Sequence, residues 1–213
     1  MSRQCWQCSA TQDDGLVCAR CQAVQPLTPE ADLFAVLGLP RRLALDPPDL
    51  ERRYHAASRA VHPDRHQTAD ARQRELSLMA SAAVNRAYRT LKDPVARGRY
   101  WLELHGTRLG DEGAGVPPAI AEDVFETQEK LEGLRTAGAD DALRAEVRAL
   151  RERFAARLDG LRDDLLASYE ADHGAPALEE LRRRLAEIAY LRTLLGDIDE
   201  TIREGLRGTD HRH

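Results

Sequence analysis

Four cysteines fall within the first 21 positions, as Cys5-Trp6-Gln7-Cys8 and, after nine intervening residues, Cys18-Ala19-Arg20-Cys21. Two tight turns that each present a pair of sulfurs can close a tetrahedral metal site, with zinc about 2.3 Å from each thiolate. Binding free energy on the order of 10 kcal/mol or more is typical of such peptides, enough to offset the scarcity of apolar residues in residues 1–27. The pattern assigns Cys5, Cys8, Cys18 and Cys21 to one structural zinc site made of four thiolates. Iron suits the same ligands, so the choice between zinc and iron stays open. Two disulfides are disfavoured in an intracellular chain, and a redox CxxC would accompany a βαβ unit that the sequence lacks.

The second chemical feature is His62-Pro63-Asp64. Pro63 fixes its own φ and pushes His62 toward an extended backbone, so the preceding helix must stop and a polar loop is displayed in a defined shape. Asp64 can accept a partner's guanidinium in bidentate fashion, and Arg52, Arg53 and Arg59 on the preceding helix complement an acidic surface. These are docking groups. No Ser-His-Asp series, phosphate-cradling glycine loop or paired-carboxylate helix is present, so the expectation is a binding protein and not an enzyme.

The elements that must carry these groups read as helices. Hydrophobic residues make up 42% of the 213 and aromatics only 5%, with Leu and Ala dominant and β-branched residues sparse. No segment reads as a strand. Asp46 with Pro47, and Asp93 with Pro94, each place a capping carboxylate before a proline at the first helical position. The expected helices cover 31–37, 47–61, 70–92 and 94–105, with a loop at 62–69. Tyr54, Leu76, Ala83, Val84, Ala87 and Leu91 are the expected core of a hairpin made by the second and third, while His55 and His66 receive no role.

From Gly106 to Pro118, four glycines and the Pro117-Pro118 pair mark a break, and long amphipathic stripes follow. Leu143, Val147, Leu150, Phe154, Leu158, Leu161 and Leu165 share one helical face, as do Leu178, Leu181, Leu185, Ile188, Leu195, Ile198 and Ile202. With a shorter helix at 119–136 and breaks at Gly138 and Gly174 to Pro176, the simplest packing is an antiparallel three-helix bundle. The chain is expected to be all-α and to divide into a metal segment at 1–27, a helical domain at 31–106, a linker at 107–117, a bundle at 118–206 and a tail at 207–213. With 36 acidic against 31 basic side chains, the net charge of −5 argues against general nucleic-acid binding. No run of about 18 or more apolar residues is present to span a bilayer, and Met1 to Ala10 lacks a signal layout, so a cytoplasmic protein is expected.

The basic helix, the His62-Pro63-Asp64 loop and the segment from Asn85 to Pro94 together resemble the J-domain family over about 65 residues. Phe34-Ala35-Val36-Leu37-Gly38-Leu39-Pro40 and Arg97-Gly98-Arg99-Tyr100-Trp101-Leu102-Glu103-Leu104-His105-Gly106 narrow the resemblance to HscB co-chaperones, some of which also carry a four-cysteine segment. The resemblance implies a J-domain hairpin joined to a three-helix bundle. It also implies that His62, Pro63 and Asp64, with Arg52, Arg53 and Arg59, contact a DnaK/HscA-type chaperone and promote its ATP hydrolysis. The bundle would bind the iron-sulfur scaffold IscU through Glu122, Phe125, Glu126, Glu129 and Tyr190. Two positions depart from the family pattern, since bulky apolar residues are expected where Ala121 and Glu122 stand. A general J-protein presenting unfolded clients, and a thiol- or iron-handling protein, are the alternative readings.

Overall fold

Residues 3–13, 15–28, 31–107, 116–136, 141–169 and 175–207 are described by the structure, a computed structural model of the full chain. Two short strands come first, β1 (Arg3–Gln4) and β2 (Thr11–Gln12). Seven helices follow among the described residues: α1 (Leu33–Val36), α2 (Pro47–Val61), α3 (Ala71–Lys92), α4 (Pro94–Leu104), α5 (Ala121–Thr136), α6 (Asp141–Ser168) and α7 (Ala175–Arg207). By internal contacts the chain falls into two units, Met1–Tyr100 and Trp101–His213. Most of the expected linker, 108–115, together with Gly138, Gly174 and the tail from 208, lies outside the described residues. No helix among the described residues is long and apolar enough to cross a membrane.

In the first unit the helix boundaries follow from capping. The side chains of Asp32, Asp46 and Asp70 accept the backbone N–H groups of Ala35, Asp49 and Gln73 at 2.8, 3.2 and 2.8 Å, opening α1, α2 and α3. Asp93 ends α3 and accepts the N–H of Ala96 at 2.7 Å at the start of α4. Gly38, at φ +63°, turns the chain after α1, and its carbonyl accepts Arg53 Nη1 from α2. The hairpin of α2 and α3 buries Leu50 and Val61 from one helix and Ala80, Val84, Ala87 and Leu91 from the other. Leu76, Ala83 and Tyr54 are half-buried, so the buried stripe on α3 sits slightly off the expected one and includes Gln73 and Ser77. Tyr54 instead stacks on Tyr88 with ring centroids 4.0 Å apart and donates to Asn85 Oδ1 at 3.0 Å.

The reading that no segment forms a strand is corrected by the cysteine segment. Arg3 pairs with Gln12 and Gln4 with Thr11 in an antiparallel ladder, and an isolated bridge joins Val17 to Val24. Both pairs are too short to leave an alternating hydrophobic pattern, and each merely closes the neck of one cysteine turn.

The second unit is a bundle whose described residues include a large apolar cluster shared by three helices. Ile120, Val124 and Leu131 meet Val147, Leu150 and Phe154 from α6 and Leu191, Leu194 and Ile198 from α7. Leu191 and Leu194 extend the expected stripe because α7 packs against both α5 and α6 and must bury a wider arc. Ion pairs tie the same helices: Arg151 Nε and Nη2 grip Asp199 at 2.5 and 3.2 Å, and Arg157 Nε donates to the buried Glu187 at 2.8 Å. Phe154 is fully buried in this cluster, so Phe154→Ala is expected to lower unfolding free energy by about 3–5 kcal/mol, read from the urea midpoint of the bundle's transition.

Candidate functional site

The two cysteine turns have the same backbone geometry. In the first, Ser9 N–H donates to Cys5 O and Cys5 N–H to Ala10 O, both at 2.9 Å; in the second, Gln22 N–H donates to Cys18 O at 2.9 Å and Cys18 N–H to Ala23 O at 2.8 Å. The residue after each second cysteine, Ser9 or Gln22, takes a left-handed φ of 55° or 60°, which folds the turn back on itself. The facing turns bring all four Sγ atoms within 4.8 Å of one another, with no disulfide between them. Cys5 to Cys21 measures 3.6 Å and Cys8 to Cys18 3.8 Å. A tetrahedral site with bonds of about 2.3 Å has edges of about 3.8 Å, so these two pairs already stand at the spacing a zinc ion requires.

Electrostatics favour a cation there. Burial opposes the Cys5 thiolate, but N–H groups of Cys8 and Gln7 and the neighbouring sulfurs outweigh it and bring Cys5 down to about 6. Cys18 is lowered chiefly by the Cys21 N–H. Cys21 goes the other way: the Ala23 N–H favours its thiolate, but burial and the three nearby sulfurs win and push it up to about 12. Four thiolates this close repel one another, and a divalent ion removes that penalty. The amide of the buried Gln25 donates to Cys5 Sγ at 3.3 Å and to Ala23 O at 2.8 Å, orienting one ligand from outside the site. Trp6, between the first two cysteines, donates to Val24 O at 2.8 Å and lies 4.5 Å beneath the Arg72 guanidinium of α3. The segment is thereby held against the hairpin.

At the far end of α2, His62 adopts φ −60° and ψ 129° and ends the helix, and Pro63–His66 forms a single 3-10 turn within the expected loop. Side chains of His62 and Asp64 are 50% and 73% exposed. The Asp64 N–H donates to His62 Nδ1 at 3.3 Å, which leaves the proton of a neutral imidazole on Nε2 as a donor. Asp64 itself accepts Gln67 Nε2 at 3.0 Å. Arg59 is exposed and Arg52 is 71% exposed and paired with Asp49, whereas Arg53 is engaged within the fold by Asp49 and Gly38 O. Of the three arginines singled out in the sequence, Arg52 and Arg59 therefore carry the open basic face of α2.

His66, assigned no role from sequence, is built into this loop: Nε2 meets Ala60 O at 3.2 Å and Nδ1 meets Gln73 Nε2 at 3.1 Å. The only signal available was its position two residues after the tripeptide.

On α5, Glu122, Phe125, Glu126 and Glu129 lie on one exposed face, with Phe125 68% exposed despite its size. Glu126 pairs with Lys130 at 3.5 Å and Arg153 at 3.8 Å. Tyr190 does not join that face as an open anchor. It is half-buried against the bundle's apolar cluster, where burial pushes its phenol up from the ordinary value.

Reduced, metal-free protein titrated with Zn2+ is expected to take up one ion per chain, with affinity falling as pH is lowered because each ligand must first shed its proton. Competition against a chromogenic chelator at two pH values measures both, and Cys18→Ser should weaken binding strongly. Failure of the reduced chain to bind would contradict the site.

No protein-family model matches the chain. Among curated proteins, the Co-chaperone protein HscB homolog of Bordetella pertussis is 40% identical over 135 residues, covering 62% of this chain and 79% of the relative. The mouse Iron-sulfur cluster co-chaperone protein HscB is 31% identical over 157 residues, covering 71% and 67%. The crystal structure of human co-chaperone protein HscB superposes with a TM-score of 0.72 at 25% identity, over 92% of this chain and 97% of that one. With identities of this size spread over two thirds or more of each relative, and with the four-cysteine cluster, helical hairpin and bundle in place, the chain belongs to the HscB co-chaperone family.

Proposed function

We propose that the protein is a J-domain adaptor that stimulates the ATPase of a DnaK/HscA-type chaperone and delivers an IscU-type iron-sulfur scaffold to it. The observation that carries the reading is the loop after α2: His62 and Asp64 are exposed while Val61, immediately before them, is fully buried. A rigid base under two open polar side chains suits directional contact with a partner. His62, Pro63 and Asp64, flanked by Arg52 and Arg59 and with Arg53 fixing the helix to Gly38, act as the chaperone-binding group. The chain supplies no catalytic group to the hydrolysis, which takes place on the chaperone.

Scaffold binding falls to the α5 face, with Phe125 as apolar anchor and Glu122, Glu126 and Glu129 as an acidic surround. Tyr190 contributes indirectly, from its half-buried place against the bundle's apolar cluster. The domain division follows: metal segment to residue 27, J-domain over 31–106, bundle over 118–206. Zinc is the ion assigned to the cysteines, as a structural group, and the protein works in the cytoplasm without nucleic acid or membrane. A general-client reading draws on Leu78 and Met79, each 61% exposed on α3.

His62→Gln should leave the circular dichroism spectrum intact and abolish stimulation of the chaperone's ATPase, and normal stimulation would sink the chaperone reading. In calorimetric titration against the IscU-type scaffold, Phe125→Ala should weaken binding by about tenfold or more, the loss typical of a central apolar anchor. Unfolded-client binding without any scaffold affinity would favour the general-client reading instead.

A further inference from the structure

Termination of α2 by Pro63 strands the helix's last carbonyls. Three consecutive ones are nevertheless satisfied, each by a different side chain. Arg59 O accepts Arg65 Nη1 at 3.4 Å, Ala60 O accepts His66 Nε2 at 3.2 Å, and Val61 O accepts Ser77 Oγ at 2.7 Å. These bonds do different things. Ser77 joins α3 to α2 directly and spans no part of the loop, while the Arg65 bond is long and exposed. His66 lies on the far side of the tripeptide, reaches back to the last turn of α2, and accepts Gln73 Nε2 from the first turn of α3 at 3.1 Å.

The roles of the ring atoms follow from the partners. Ala60 O can only accept, so Nε2 carries the proton; a neutral imidazole then has a bare Nδ1, which suits the Gln73 amide as donor. Gln73 is buried, and its own backbone N–H is held by the cap Asp70 at 2.8 Å. One planar side chain thus links the end of α2, the loop and the start of α3.

We propose that His66 is a positioning residue for the His62-Pro63-Asp64 loop, acting through its bonds to Ala60 and Gln73 and not by touching the partner. The inference rests on the chaperone-docking reading above. Without the link the loop samples other shapes, and the apparent affinity for the chaperone falls in proportion to the fraction still competent, while the rate in the assembled complex is unchanged.

The test is the steady-state ATPase of the organism's DnaK/HscA-type chaperone against increasing concentrations of the full-length chain and of its His66→Leu, Gln73→Leu and doubly substituted forms. Each single variant is expected to raise the half-saturating concentration about three- to tenfold with the same maximal rate, and the double variant to be no worse than the poorer single one, because both act on one link. An unchanged half-saturation for Gln73→Leu, which leaves the loop sequence intact, would overturn the proposal, as would a double variant whose defect is the product of the two. A drop in maximal rate would also overturn it, since that places His66 in the contact itself. Should His66→Leu fail to fold by circular dichroism, Gln73→Leu decides alone. His62→Gln run alongside separates the two levels: if it stimulates normally the docking reading itself fails, whereas inactivity of His62→Gln with unaltered Gln73→Leu removes only the role of His66.

Discussion

Pro63 offers no backbone N–H and does not tolerate a helical residue before it, so α2 has to stop at Val61 with its final carbonyls in need of donors. Because Val61 is fully buried, those carbonyls cannot all be left to water. The donors come from Arg65, His66 and Ser77, which means that the chain must turn within a few residues and that α3 must run back beside α2. The same bonds that satisfy the helix end therefore create the hairpin and present His62 and Asp64 at its tip. Burial of Ala80, Val84, Ala87 and Leu91 along α3 then secures the hairpin over its remaining length.

The other two parts solve different problems. Residues 3–28 have too little apolar surface to fold by burial, and their order comes from two similar turns that set four sulfurs at the corners of one site. The bundle has ample apolar surface and uses it conventionally, with Arg151–Asp199 and Arg157–Glu187 fixing how α6 meets α7. A large exposed aromatic, Phe125, is the exception on α5, and exceptions of that kind mark contact surfaces more often than they mark faulty packing.

Much of this was legible in the sequence where residue type alone dictates conformation. Asp46-Pro47 and Asp93-Pro94 mark helix starts because a carboxylate cap and a proline at the first position have few other uses. The bundle stripes were readable because Val147, Leu150, Phe154 and Leu185, Ile188 repeat at helical spacing. The roles of His66 and Gln73 were hidden since a polar side chain that pairs across a loop has no periodicity to betray it. The strands flanking the cysteines were too short to show alternation, and the burial of Tyr190 depended on how widely α7 is wrapped by its neighbours, which no single helix pattern contains.

If the chain is the adaptor proposed above, it has to engage chaperone and scaffold at the same time, with the loop after α2 proposed for one and the α5 face for the other. Sedimentation of the full-length chain with both partners and ATP tests that requirement directly. A species containing one copy of each of the three proteins, present at concentrations where each pair also forms, is the predicted result. Mutually exclusive binding, with the scaffold displacing the chaperone from the chain, would contradict the account.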